Sequence, residues 1–173
     1  DNQLRSAFSP TDIGADAGNF FTYPVINYTP LTSACVVGAR TLIATITDAD
    51  GVPTSGIGLP VLYWRINAGA YTGATATSLG ANQYQFSFGA GAVVGDAVSY
   101  YIVAQDNLGD VGSSPSAGAG GFTINPPAAA TAPTSPSSYS ILPTLSGTYT
   151  VGAAGNYPTL TAAVNAYNSS CIG

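Results

Sequence analysis

The chain contains no histidine, lysine, glutamate or methionine. Nucleophilic catalysis of the Ser/His/Asp, Cys/His or Ser-Lys kind is thereby excluded, because the base that each arrangement needs is missing. Charge of either sign is scarce: 6% of residues are ionic, three arginines stand against eight aspartates, and the net charge is −5. That balance repels phosphate backbones and anionic bilayer surfaces, so neither nucleic acid nor a membrane is an expected partner. No apolar run approaches the roughly 20 residues of a membrane-spanning helix, and no basic-then-apolar leader opens the chain. The lack of an initiator methionine is expected of a processed or internal piece of a longer polypeptide. Cysteine occurs only at Cys35 and Cys171, a separation that matches no metal-ligand motif. The pair is either two unlinked, buried thiols or a disulfide closing a very long loop, which on the chain-entropy model would stabilise by roughly 5 kcal/mol.

What is present is alternation. In Arg40-Thr-Leu-Ile-Ala-Thr-Ile-Thr-Asp48, Leu42, Ala44 and Ile46 share one face, while Thr41, Ile43, Thr45 and Thr47 share the other. That period of 2 marks a half-buried strand. In 60–66, Leu62, Trp64 and Ile66 alternate with Val61, Tyr63 and Arg65; in 83–88, Tyr84, Phe86 and Phe88 make an aromatic face. In 97–105, Val98, Tyr100, Ile102 and Ala104 read as the buried side of a central strand. Shorter strands are expected at 24–29, where Pro24 marks an edge, at 70–72 and at 121–124. Asp48-Ala-Asp-Gly51 and Asp106-Asn-Leu-Gly109 supply turn chemistry between strands. About seven short strands without an intervening helix predict an all-β fold, an antiparallel β-sandwich over residues 24–125.

Three other segments flank this block. Residues 1–23 have no sustained period. Residues 126–145 are rich in Pro, Ser, Thr and Ala and are expected to be a semi-rigid linker, of which 126–138, if extended as polyproline II, could span roughly 40 Å at about 3.1 Å per residue. Residues 146–173 read as a strand over 147–152 and then a short helix with Pro158 in its first turn, ending near Asn168. Leu160, Ala163, Val164 and Tyr167 fall on one face of that helix, and so short a helix needs something for its apolar stripe to cover.

Candidate chemistry is sparse. Asp48, Asp50, Asp106 and Asp110 occupy two turns that a sandwich could bring to one end, and carboxylates are what Ca²⁺ accepts. The alternative is that these are turn-forming residues and that the protein takes no cofactor. A pair of carboxylates for glycoside hydrolysis is formally available, yet no Asp stands in an aromatic-rich string that would raise its pKa. Gly89-Ala-Gly-Ala-Val-Val-Gly95 lacks the spacing of a dinucleotide loop and reads as a flexible connection. Tyr63, Tyr71, Tyr84 and Tyr101 are candidates for a sugar-stacking face, against the alternative of cross-strand pairs that stabilise the sheet itself.

Thr45-Ile-Thr-Asp-Ala-Asp-Gly-Val52, Val61-Leu-Tyr-Trp-Arg-Ile66 and the string 95–109 resemble the fibronectin type III and immunoglobulin-like modules of large secreted bacterial surface proteins. Thr11-Asp-Ile-Gly-Ala-Asp16 is similar to the closing coil of a pectin-lyase-like β-helix, and 147–164 to the cap and first helix that open another. Such alternation is a feature of Bacteroidota-type surface adhesins and filament proteins. The resemblance implies an extracellular or cell-surface location and no catalytic residues. The expected function is therefore non-enzymatic: a structural and adhesive repeat module whose ends meet another copy or an adjacent repeat, generating a head-to-tail fibre or array. The self-assembly candidates are Asp12, Ile13, Phe20 and Phe21 at one end and Tyr149, Val151, Leu160, Val164 and Tyr167 at the other. The competing expectation is a carbohydrate-binding or accessory module of a secreted polysaccharide-active enzyme, with surface glycans as partners.

Overall fold

The computed structural model describes residues 22–173. The expected β-helix-like coil, with Asp12, Ile13, Phe20 and Phe21, lies outside the described residues. Among the latter, the strands run in chain order as β1 (Val25–Asn27), β2 (Arg40–Thr47), β3 (Val61–Ile66), β4 (Thr72–Thr75), β5 (Thr77–Gly80), β6 (Gln83–Phe88) and β7 (Ala97–Gln105). They continue as β8 (Val111–Ser114), β9 (Gly120–Thr123), β10 (Ala128–Thr131), β11 (Ser137–Ser140) and β12 (Thr144–Leu145), followed by helix α1 (Leu160–Asn168) and β13 (Cys171–Ile172).

The protein is all-β, an antiparallel sandwich. One sheet has the order β1-β2-β6-β5; the other has the order β11-β7-β3-β4, with β8 also on β7. The alternation read from the sequence decides which side chains lie between them. Leu42, Ala44 and Ile46 of β2 and Tyr84, Phe86 and Phe88 of β6 meet Leu62 of β3 and Val98, Tyr100, Ile102 and Ala104 of β7, all buried in one cluster. Each large side chain so enclosed contributes about 1.5–3 kcal/mol relative to exposure. Trp64 is only half-buried and packs at the rim against Phe88, with ring centroids 6.4 Å apart.

The expectation of a linker over 126–145 is corrected. Ser137–Ser140 pairs with β7 from Tyr100 to Ala97, and its Tyr139 and the following Ile141 complete the core. The prolines bound the strands without interrupting them: Pro127 precedes β10 and Pro136 precedes β11, positions where a missing N–H costs no ladder bond. Because β3 occupies one edge of β7, β8 and β11 divide the other edge, β8 along Ile102–Gln105 and β11 along Ala97–Tyr100. Tyr28 pins the joint between them: its hydroxyl donates to the Ser114 carbonyl at 3.2 Å and lies 3.0 Å from the Ser137 hydroxyl.

The β9–β10 hairpin lies across the outer face of the second sheet. Ala129 and Ala132 cover Tyr101, Val103 and Val111, and the Tyr63 hydroxyl donates to the Pro127 carbonyl at 3.1 Å. Gln105 and Asn125 exchange two hydrogen bonds, of 3.1 and 2.8 Å, which hold this strap to the end of β7. The string 89–95, expected as a flexible connection, is two successive turns anchored by the fully buried Ala92.

In the C-terminal segment the expected strand over 147–152 is absent; only Val151 bridges to Tyr157, and the strand pairing falls instead to β12 and β13, which run parallel. The helix begins two residues after the expected proline: Thr159 caps it, its hydroxyl accepting from the Ala162 N–H at 3.1 Å, so Pro158 stands outside the first turn. A threonine acceptor satisfies an orphan N–H that proline cannot, which moves the boundary.

Candidate functional site

The two ends of the sandwich differ in what holds their loops. At the first end, Asp48 directly follows β2 and Asp106 directly follows β7, one strand from each sheet. The turn Asp48-Ala-Asp-Gly51 closes on itself: the Asp48 carboxylate accepts from the Asp50 N–H at 2.9 Å, and the Gly51 N–H donates to the Asp48 carbonyl at 3.2 Å. Gly51 has φ +79°, and a Cβ there would meet the Asn107 amide nitrogen at 2.8 Å, so glycine serves both the conformation and the approach of the second turn. Asn107 then joins the turns, its side-chain amide donating to the Asp50 carbonyl at 2.9 Å and its N–H to the Gly51 carbonyl at 3.1 Å.

Asp106 is fully buried. One oxygen, Oδ1, accepts three successive backbone N–H groups, from Leu108, Gly109 and Asp110, at 3.0, 2.6 and 2.7 Å. The other, Oδ2, is enclosed and has no hydrogen-bond partner. Carboxylate oxygens of Asp48, Asp50 and Asp106 lie within 4.8 Å of one another. The Thr22 hydroxyl stands 3.3 Å from Asp48 Oδ1 and 3.2 Å from Asp50 Oδ2. Asp110 is near enough to register all three: loss of solvent raises its carboxyl pKa above the ordinary value, and the charges of Asp106, Asp48 and Asp50 raise it further. The four aspartates singled out in the sequence thus gather at one end. Thr22 and Asn107 were not foreseen, Thr22 because a hydroxyl 26 residues before Asp48 carries no local signal.

At the second end the structure joins Cys35 to Cys171 in a disulfide, with Cα atoms 6.1 Å apart. The bond straps the C-terminal segment to the sandwich beside the bridge of Ala34 to Ile141. Exposed apolar residues lie in the loops of this end: Val36 and Val37 in the one before β2, Val93 and Val94 in the one before β7. On the segment itself Tyr149 packs on Tyr157 with centroids 5.6 Å apart, and Tyr149 and Val151 remain exposed. Helix α1 has no buried residue. Its alanines Ala162, Ala163 and Ala166 are half-buried, while Leu160 at 70% and Tyr167 at 60% exposure stand out with Val164.

The aromatic candidates are mostly covered. Tyr84 lies inside the sandwich with its hydroxyl on the Val52 carbonyl at 3.1 Å. Tyr101 stacks on Tyr63 at 5.5 Å and meets Tyr71 edge-on at 5.0 Å, all in the cluster beneath the strap. Burial, with the neighbouring Tyr71 and Tyr63, pushes the Tyr101 phenol up to about 12. Tyr63, Tyr71 and Tyr101 thus pair with one another across the sheet.

The chain matches no protein-family model and no curated protein.

Proposed function

We propose that this chain is a non-enzymatic structural module of an extracellular or cell-surface protein, assembling end to end through its C-terminal segment. The observation that carries the reading is the uncovered stripe of α1. A helix of nine residues gains little from its own hydrogen bonds and is held in proteins by burying an apolar face. Here Leu160, Val164 and Tyr167 face away from the segment that bears them. The segment is nevertheless fastened by Cys35–Cys171 rather than by packing, a means that suits an oxidising compartment. A stripe presented on a fixed mount fits association with a second copy of the module, as repeat architectures bury their faces by stacking on a neighbour. The fibronectin type III and immunoglobulin-like strings, and the β-helix-like string 147–164, support the same reading. So does the composition, since no His, Lys or Glu is available for acid–base work.

The test is sedimentation velocity over a wide concentration range on the intact chain and on a Leu160→Asp/Val164→Asp variant. Growth of the sedimentation coefficient with concentration, abolished in the variant, is the expected outcome. A monomer at all concentrations, or assembly that the two aspartates leave unchanged, removes the proposal.

A further inference from the structure

We infer that Asp48, Asp50 and Asp106, with Asp110 beside them, form a binding site for a divalent cation of calcium size. Two independent observations meet here. The first is the gathering of three carboxylates with oxygens within 4.8 Å of one another. Oxygens bound to one Ca²⁺ at about 2.3–2.6 Å stand at most about twice that distance apart, so the spacing is one that a single ion spans with side-chain adjustments of a few tenths of an ångström. The second is the state of Asp106. Its Oδ1 takes three N–H donors, whereas Oδ2 is enclosed without any. A buried ionised oxygen left bare costs free energy unless a donor or a cation meets it. The other carboxylates of the cluster bring like charge, not a donor.

No basic side chain of the described residues offers a remedy. Arg40 is at the start of β2, the far end of that strand from Asp48, where it donates to the Thr32 carbonyl at 2.7 Å and lies over Tyr139. Arg65 pairs in register with Ser99, also distant from Asp106, and lies over Tyr71. Lysine and histidine are missing from the chain, and Arg5 lies outside the described residues. The donor set is oxygen only, which selects a hard cation, and its irregular spread over two turns and both sheets suits the adaptable shell of Ca²⁺ better than the strict octahedron of Mg²⁺. Water would complete the shell. The bound ion would tie the end of β2 to the end of β7, one strand from each sheet.

Isothermal calorimetry and thermal melts of the full chain, stripped with chelator, test this with CaCl2 and MgCl2 as probes. Saturable binding of one Ca²⁺ per chain is expected, with a melting temperature raised by several degrees at about 10 mM Ca²⁺, which saturates a site in the roughly 10⁻⁴–10⁻³ M range of extracellular modules. Because Asp50 is exposed, Asp50→Asn leaves the fold intact; it should weaken binding about tenfold, and Asp48→Asn/Asp50→Asn should weaken it further. Absence of heat and of any thermal shift overturns the proposal, as does an undiminished response in the double variant. An equal response to Mg²⁺ overturns the calcium assignment. The site and α1 are at opposite ends of the sandwich, so either proposal can fail while the other stands.

Discussion

One end of this sandwich is held by carboxylates and the other by a covalent bond among exposed apolar side chains. At the first, the Asp48 and Asp106 carboxylates accept backbone N–H groups of their own turns, so each loop is closed by local bonds, and with Asp50 the charges accumulate where the turns meet. At the second, the Val93 turn is also closed by its own bonds, the Val93 N–H donating to the Asp96 carboxylate at 2.9 Å and the Asp96 N–H to the Val93 carbonyl at 3.0 Å, while Cys35–Cys171 fixes a segment whose helix has no fully buried residue. Local bonds therefore close turns at both ends, and the second end adds a long-range covalent attachment among exposed apolar side chains. The difference underlies the two proposals: a counter-charge for the turn cluster and a neighbouring copy for the mounted surface.

The comparison is most sharply tested at the covalent end. Replacing Cys35 and Cys171 with serine opens a link across a sequence separation of 136. On the chain-entropy model this should cost up to about 5 kcal/mol, read as a lower urea midpoint. An unchanged midpoint would mean that the C-terminal segment is not coupled to the sandwich at all. At the other end Asp106→Ala should cost about 2–3 kcal/mol, since three N–H groups lose a charged acceptor, while Asp50→Ala on the exposed rim should stay within about 0.5 kcal/mol. Equal costs for the two would dissolve the distinction between a buried anchor and its neighbours.

Between the ends, Tyr28→Phe removes a hydroxyl shared by Ser114 and Ser137 and should cost about 1 kcal/mol, with hydrogen exchange accelerating in β8 and β11 first. The belt of tyrosines gives an alkaline signature with a definite sign. The Tyr101 phenol keeps its proton to about 12 in the folded chain against an ordinary value of 10.0, so the folded state holds a proton that the unfolded state releases. Stability is then flat below pH 10 and falls as pH rises toward 12. Absorbance titration of phenolate should find Tyr101→Phe lacking the latest step. The smallest effect on stability belongs to the mounted surface: Leu160→Ser, although it removes a large apolar side chain, should change unfolding free energy by no more than about 0.5 kcal/mol. A loss of several times that figure would place Leu160 in a core.

Much of the sandwich was legible because burial on one face of a strand imposes alternation on the sequence. Leu42, Ala44, Ile46, Phe86, Tyr100 and Ile102 are all where that period places them. The segment 126–145 was not, because its strands are carried by Ala and Ser between prolines, residues whose composition matches a linker and whose burial comes only from what they pair with. Tyr139, Ile141, Leu142 and Leu145 alone depart from that composition, all at its end, and they leave no period over β10.

The same division holds at the site. The chain by itself determined the two Asp-Gly turns, since Asx hydrogen bonds and a glycine at positive φ act within four or five residues. It determined too that acid–base catalysis by His or Lys is absent, and that α1 carries an apolar stripe. Only the tertiary structure decided that the turns meet, that one oxygen of Asp106 is enclosed without a partner, that Cys35 reaches Cys171, and that the stripe faces outward. Each of those depends on which strand lies beside which, and pairing is settled by contacts between residues far apart in sequence, where no local pattern records them.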